Sequence, residues 1–252
     1  MPEPRALSLV VPLRDEADNV VALVEEVAAV LTPHGLHYEL ILVDDGSTDG
    51  TWDHLRRLHA ADRARVVAVR FSRNFGQSAA FTAGFAEARA PLVATMDGDR
   101  QNDPADLPAL MTLAETHDIV CGWRRNRQDD VLTRHLPSVA ANLLIAVVTG
   151  IKLHDNGCSL KVFRAPVIKP LFLRPGMHRY LPAIASQLGG RVTEVVVNHR
   201  AREFGQSKYG LSRTFRVMAD LPRLHRLMRE ALEPPPASEP LYQVSERLGP
   251  ER

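Results

Sequence analysis

Three short acidic segments carry residue types that could do chemistry. Asp15 and Glu16 close Val-Pro-Leu-Arg-Asp-Glu at 11–16, Asp44 and Asp45 open Asp-Asp-Gly-Ser-Thr-Asp-Gly-Thr at 44–51, and Asp97 and Asp99 open Asp-Gly-Asp-Arg-Gln-Asn-Asp-Pro at 97–104. Two carboxylates separated by one residue on a loop present hard oxygen donors on the same side, which suits Mg²⁺ or Mn²⁺ bridging a diphosphate. Any one segment alone is explained by turn formation or helix capping; three together are harder to explain that way. The second half adds cations: Arg124, Arg125, Arg127 and Arg134, then Arg202 and Lys208. A guanidinium grips phosphate oxygens through two parallel bonds, and a lysine adds a point charge. Gly-x-Gly-x-x-Gly and Gly-Lys-Ser/Thr are both missing, so dinucleotide and P-loop chemistry lack their phosphate-cradling loops. His178 and His199 show no zinc spacing and read as hydrogen-bonded structural histidines. Cys158 reads as a packed small side chain.

Elements must bring these residues together. Ala6–Pro12, Tyr38–Val43, Arg65–Phe71, Leu92–Met96 and Asp118–Gly122 are short apolar blocks bounded by polar or turn residues, and they read as buried strands. Helical candidates lie between them at Asp18–Leu31, Thr51–Ala60, Gln77–Ala88 and Ala105–Thr116, with Asp18, Ser47 or Asp49, and Asp103 as starting residues. Such alternation gives an α/β fold with a mainly parallel sheet covered by helices on both faces. Ligands of such sheets bind at the carboxyl ends of the strands, where the acidic segments fall. Beyond Gly122 the pattern loosens: Thr133–Gly150 is a helix candidate, Cys158–Arg164 and Arg191–His199 are strand candidates, and Gly210–Leu232 is a helix with a kink at Pro222. The stretch 233–252, with Pro234, Pro235, Pro236 and Pro240, reads as a disordered tail. Residues 1–232 are expected to form one domain.

The ordered set of motifs resembles family 2 glycosyltransferases of the GT-A fold, and more narrowly the polyprenyl-phosphate sugar transferases typified by dolichyl-phosphate mannose synthase and undecaprenyl-phosphate aminoarabinose transferase. The resemblance runs from Leu7 to about Leu221. Besides the acidic segments it includes Arg-Asn-Phe-Gly-Gln-Ser at 73–78, Asn-Arg-Gln-Asp at 126–129, Asp-Asn-Gly-Cys-Ser-Leu-Lys at 155–161 and Arg-Glu-Phe-Gly-Gln-Ser-Lys-Tyr at 202–209. The family commonly has Asn where Asp15 stands. The resemblance implies that Pro12, Arg14, Glu16 and one or both of Asp44 and Asp45 hold the base and ribose of a nucleotide sugar, GDP-mannose or a UDP-sugar. By the same token Asp97, Gly98, Asp99 and Gln101 address the donor diphosphate, Asp97, Asp99 and Gln101 through Mg²⁺ or Mn²⁺. Arg124, Arg134 with Ser138, and Arg202 with Ser207 and Lys208 become contacts to the acceptor phosphate, and Asp155 orients the arginines or the sugar. On this pattern residues 1–122 form the donor half and 123–232 the acceptor half. Catalysis would rest on Asp97, Asp99, Arg124, Arg134, Arg202 and Lys208.

The acceptor follows from chemistry. A sugar hydroxyl needs a carboxylate base, whereas a lipid phosphate arrives ionised and needs cations. The arginines therefore favour inverting transfer of a hexose, mannose as first expectation, to a dolichyl or undecaprenyl phosphate. The competing readings are a saccharide hydroxyl acceptor and a non-catalytic nucleotide-sugar-binding subunit.

Composition bounds the rest. The 252 residues are 45% apolar and 24% charged with a net charge of +1, an ordinary globular profile that excludes collagen-like, coiled-coil and wholly disordered chains. Near-neutrality hides polarity: through residue 50, acids outnumber Arg5 and Arg14, while 201–232 is basic. The basic stretch suits a phosphate-bearing partner; no nucleic-acid partner is expected. Two separated cysteines and no secretory leader predict a cytoplasmic protein. The longest apolar run, Val139–Ile151, falls short of the roughly 20 residues of a spanning helix. Peripheral attachment to the inner face of the membrane, through Leu211, Phe215, Met218 and Leu221 or through a membrane-anchored partner protein, is therefore expected.

Overall fold

The computed structural model describes residues 6–125, 145–201 and 223–250. Its strands are Leu7–Leu13 (β1), Tyr38–Asp44 (β2), Val66–Phe71 (β3), Leu92–Thr95 (β4), Ile119–Trp123 (β5), Lys161–Arg164 (β6), Val192–Val196 (β7) and Val244–Leu248 (β8). They form one sheet in the order β7-β5-β6-β4-β1-β2-β3-β8. β6 is antiparallel to both β4 and β5, and β8 is antiparallel to β3; the other pairings are parallel, so these two strands alone oppose the common direction. The mostly parallel α/β sheet expected from the sequence is present.

Alternation along each strand divides the core in two. On β1, Leu7, Leu9, Val11 and Leu13 pack with Val20, Leu23 and Val27 of helix α1 (Ala17–Leu31), Leu55 of α2 (Thr51–Ala61), and Leu107 and Leu110 of α4 (Leu107–Leu113). Val10 points to the opposite face, with Ile41, Val43 and Val69, against Phe81 and Phe85 of α3 (Gln77–Glu87). Small residues bring α3 close to the sheet: a Cβ on Gly84 would lie 2.2 Å from Val10 Cγ1. That closeness places the start of α3 beside the strand ends.

Three expectations need correction. The helix expected at Ala105–Thr116 is a 3₁₀ turn, Pro104–Asp106, followed by the shorter α4, with Pro108 in its first turn. β6 begins at Lys161 rather than Cys158, because the preceding Asp155–Ser159 stretch is spent in turns and contacts described below. The stretch expected to be disordered carries β8, a sheet edge strand. Its order comes from distant partners: Tyr242 stacks on Phe71 at 5.0 Å, Glu246 accepts from Trp52 Nε1 at 3.1 Å and pairs with Arg56, and Arg247 forks onto buried Glu87 at 2.8 and 3.0 Å. Most of the helix candidates Thr133–Gly150 and Gly210–Leu232 lies outside the described residues, which retain only a helical turn at 145–149 and the helix Leu224–Glu230.

Candidate functional site

The loops after β1, β2 and β4 lie at the carboxyl edge of the sheet and are tied to one another. Asp15 has φ 50° and Arg100 φ 59°, the two positive-φ non-glycine residues described, and both sit in these loops. Aspartate and asparagine tolerate the left-handed turn better than most residues, so Asp15 fits where the family pattern has Asn. Its carboxylate accepts the Thr48 N–H at 2.8 Å, while its own N–H donates to Ser47 Oγ at 2.9 Å. Glu16 N–H donates to Thr51 Oγ1, and Glu16 Oε2 accepts from Asn19 Nδ2 at 2.7 Å. Pro12 and Arg14 are half-buried on the same loop.

Asp44 and Asp45 divide the work. Asp44 is fully buried, accepts the Ser47 N–H at 2.8 Å and lies 3.5 Å from Arg70 Nε. Asp45 accepts the N–H groups of Phe75 at 2.6 Å and Gly76 at 2.9 Å, fastening the loop between β3 and α3. Burial pushes both carboxyls above the ordinary aspartate range, against the lowering effect of these hydrogen bonds. Gly46 adopts φ 70°, and a Cβ there would sit 2.5 Å from the Arg73 carbonyl carbon, so only glycine lets the two loops meet.

The fastened loop delivers Gln77 to the β4 loop, where its Nε2 donates to Asp97 Oδ1 at 2.7 Å. Asp99 Oδ1 accepts the Gln101 N–H at 3.2 Å. Asp103 caps the following turn by accepting from Ala105 N–H, as its sequence position suggests. Arg100 is held by Glu26, and Arg200 bridges Glu26 and Asp103, each at 2.8 Å. Arg200 N–H also donates to the Gln101 carbonyl, and Asn102 bridges to His199, so the chain after β7 meets the Asp97–Asp103 loop. Two carboxylates and an amide oxygen are too few to encage a cation; among the described residues no group of three His, Cys, Asp or Glu could do so. They do fit Mg²⁺ or Mn²⁺ that completes its shell with diphosphate oxygens and water.

Just past β5, Arg124 forms a bidentate pair with Asp155 at 2.7 and 3.0 Å, each side chain about one-tenth exposed. Burial would pull the Arg124 pKa down, but the Asp155 carboxylate more than offsets it and holds the guanidinium charged. Asp155 Oδ1 also accepts the Gly157 N–H. Arg134, Ser138, Arg202, Ser207 and Lys208 lie outside the described residues.

Sequence reasoning missed a small pocket beside Asp97, lined by Gln77, Asn156, Lys161, His178 and Arg179 among others. Lys161 is buried and donates to the carbonyl oxygens of Cys158 and Asn156, and Ser78 Oγ bonds His178 Nδ1 at 2.9 Å. Lys161 stood within a quoted motif, but 100 residues separate Ser78 from His178, and no local signal joins them.

The model of the family "Glycosyl transferase family 2" matches residues 8–172. The chain is 48% identical over 232 residues to dodecaprenyl-phosphate galacturonate synthase of Rhizobium johnstonii, covering 90% of this chain and 69% of that protein. It is 38% identical over 216 residues to undecaprenyl-phosphate 4-deoxy-4-formamido-L-arabinose transferase of Edwardsiella ictaluri, covering 85% and 66%. The chain thus spans about two thirds of the length of these relatives. Among solved structures, mannosyl-3-phosphoglycerate synthase from Rubrobacter xylanophilus superposes with a TM-score of 0.67 at 18% identity, over 98% of this chain and 87% of that one. Glucosyl-3-phosphoglycerate synthase from Mycobacterium tuberculosis gives 0.64 at 22%, over 87% and 79%. These likenesses show the GT-A fold.

Proposed function

Because the chain belongs to glycosyl transferase family 2, we propose that it moves a sugar, with inversion, from a nucleoside diphosphate sugar to a polyprenyl phosphate. The observation that supports this reading is that Asp97, held by Gln77, lies close enough to the bidentate Arg124–Asp155 pair for its field to help hold Arg124 charged. Two sequence relatives are named for polyprenyl-phosphate products, one with galacturonate and one with formamido-arabinose. They give the mannose expectation no support.

Pro12, Arg14, Glu16 and the Asp44–Asp45 loop form the wall for the base and ribose. Asp45 acts through the loop it fastens, since it accepts from Phe75 and Gly76. Asp97, Asp99 and Gln101 would hold Mg²⁺ or Mn²⁺, which supplies positive charge to the departing nucleoside diphosphate as the sugar–phosphate bond breaks. Gln77 fixes one Asp97 oxygen so that the carboxylate keeps its direction. The ionised lipid phosphate attacks the anomeric carbon without a base, and Arg124, held flat by Asp155, orients it. Arg134, Arg202 and Lys208 are proposed to add phosphate contacts. Among the described residues no helix is long and apolar enough to cross a membrane; working at a membrane surface, directly or beside an anchored partner, follows from the lipid acceptor.

The test is transfer of label from a nucleotide sugar to undecaprenyl phosphate by the purified chain. Label appearing only on saccharide hydroxyls, or no transfer at all, would defeat it.

A further inference from the structure

The edge strand β8 reaches the Asp44–Asp45 loop at two points. At the first, Tyr242 stacks on Phe71, with centroids 5.0 Å and planes 15° apart, and Phe71 in turn meets Phe75 edge-on at 5.7 Å and 86°. The Phe75 N–H is one of the two that Asp45 accepts. The backbone reinforces the rings, because Ser72 N–H donates to the Gln243 carbonyl at 2.9 Å. One segment, residues 71–76, is thus held by Tyr242 and Gln243 at its start and by Asp45 at its end, and it runs straight into Gln77, which bonds Asp97. At the second point, Glu246 stands opposite Arg70 in the β3–β8 pairing and accepts from Trp52 Nε1 and Arg56. The Arg70 guanidinium lies over the Trp52 ring at 5.6 Å, with its Nε 3.5 Å from Asp44 Oδ2. That oxygen is buried and has no hydrogen bond among the described residues, so Arg70 supplies the counter-charge its burial calls for. Both aspartates of the loop are therefore restrained from β8.

We propose that Tyr242 is a positioning residue for the nucleotide of the donor, acting through Phe71 and Phe75 on the loop that Asp45 fastens, with Glu246 holding Arg70 toward Asp44 from the same strand. This rests on the sugar-transfer reading, since it takes the Asp44–Asp45 loop as the wall for base and ribose. β8 itself touches no nucleotide; it acts by restraint. A loop already held in its bound geometry loses less freedom on capturing a ligand, so the restraint appears as affinity.

The experiment titrates the full chain calorimetrically with UDP and with GDP, each with Mn²⁺, and follows the nucleotide that the wild type binds more tightly. Tyr242→Ala should raise that Kd about three- to tenfold, the scale of one lost aromatic pair, while Tyr242→Phe, which keeps the ring, should stay within about twofold of the wild type. In an Asp45→Asn background the same Tyr242→Ala change should cost less than about twofold, because two residues acting through one loop are not additive. Met228→Ala is the stability control: it empties a buried site of the same apolar cluster from the helix Leu224–Glu230, and should lower the melting temperature without changing Kd. A reading that needs no variant comes from hydrogen exchange of the wild type, since nucleotide bound at the loop must by reciprocity slow exchange of the β8 amides that pair with β3. Unchanged β8 exchange with nucleotide bound would overturn the inference whether or not the variants fold. So would an unaltered Kd in a folded Tyr242→Ala, an equal loss in Met228→Ala, or effects of Tyr242→Ala and Asp45→Asn that simply multiply. Failure of the wild type to bind either nucleotide would defeat the donor reading and this inference with it. Normal nucleotide binding with no sugar reaching undecaprenyl phosphate would defeat the acceptor assignment alone and leave the Tyr242 coupling to be judged by its own Kd values.

Discussion

Asp97 and Asp99 are the residues on which turnover should depend most. Asp97→Asn or Asp99→Asn should lower kcat by about 10²–10³-fold, the scale for removing one group that stabilises developing charge, with an unchanged circular dichroism spectrum; near-normal rates with metal present would contradict their assignment. Asp45 makes a pH-dependent prediction. Burial raises its pKa, so on acidification it protonates before an ordinary aspartate and loosens its hold on the Phe75 and Gly76 N–H groups. The sign for stability is opposite: a carboxyl whose folded pKa is raised contributes stability that is full below the unfolded pKa and lost as pH rises through the folded one. Donor affinity measured against pH should therefore fall on the acid side even though Asp45 itself does not contribute to acid unfolding, and Asp45→Asn should flatten that fall. The cysteines should be inert: burial pushes the Cys121 thiol up to about 12 and Cys158 upward as well, so neither should react with a thiol reagent at pH 8 until the chain unfolds. Asp97 and Asp99 were legible in the sequence because their motif is contiguous. Gln77 against Asp97 and Arg179 beside Lys161 were not, because only the fold brings them together.

At the scale of elements, one glycine and an edge strand carry the consequences. Gly84→Ala would drive a methyl into Val10 where α3 crosses β1, and should destabilise by about 1–3 kcal/mol, the range for overpacking a core; chemical denaturation reads this directly. β8 is fastened through Arg247 and the buried Glu87 carboxylate, so Arg247→Met should destabilise by about 2 kcal/mol, below the value for breaking a fully buried pair because Arg247 is partly exposed. The parallel strands of the first half were readable as apolar blocks with polar ends. β8 was not: Val244-Ser-Glu-Arg-Leu has no strong local preference, and its partners on β3, α2 and α3 are more than 150 residues earlier in the chain. The 3₁₀ turn before α4 was likewise hidden, since Ala105–Thr116 has the spacing of a single helix and only the Asp103 cap and two prolines divide it.

Across the whole molecule, the near-zero net charge resolves into function. One sheet edge collects carboxylates on three loops, and beside Asp97 lies a pocket lined by Lys161, His178 and Arg179, with Asn156 and Gly157 next in the chain to Asp155 of the Arg124–Asp155 pair. On the proposed reading, such an arrangement handles two phosphorylated substrates at one sheet edge and needs no base for an acceptor that is already ionised. The most direct measurement incubates the purified chain with Mn²⁺, a nucleotide sugar labelled in the sugar, and undecaprenyl phosphate in detergent, then follows the label. A sugar–phosphate–lipid product, abolished by EDTA and by Asp97→Asn, is the predicted result. Label released only as free sugar, or found on a saccharide hydroxyl while the lipid phosphate stays unmodified, would contradict it.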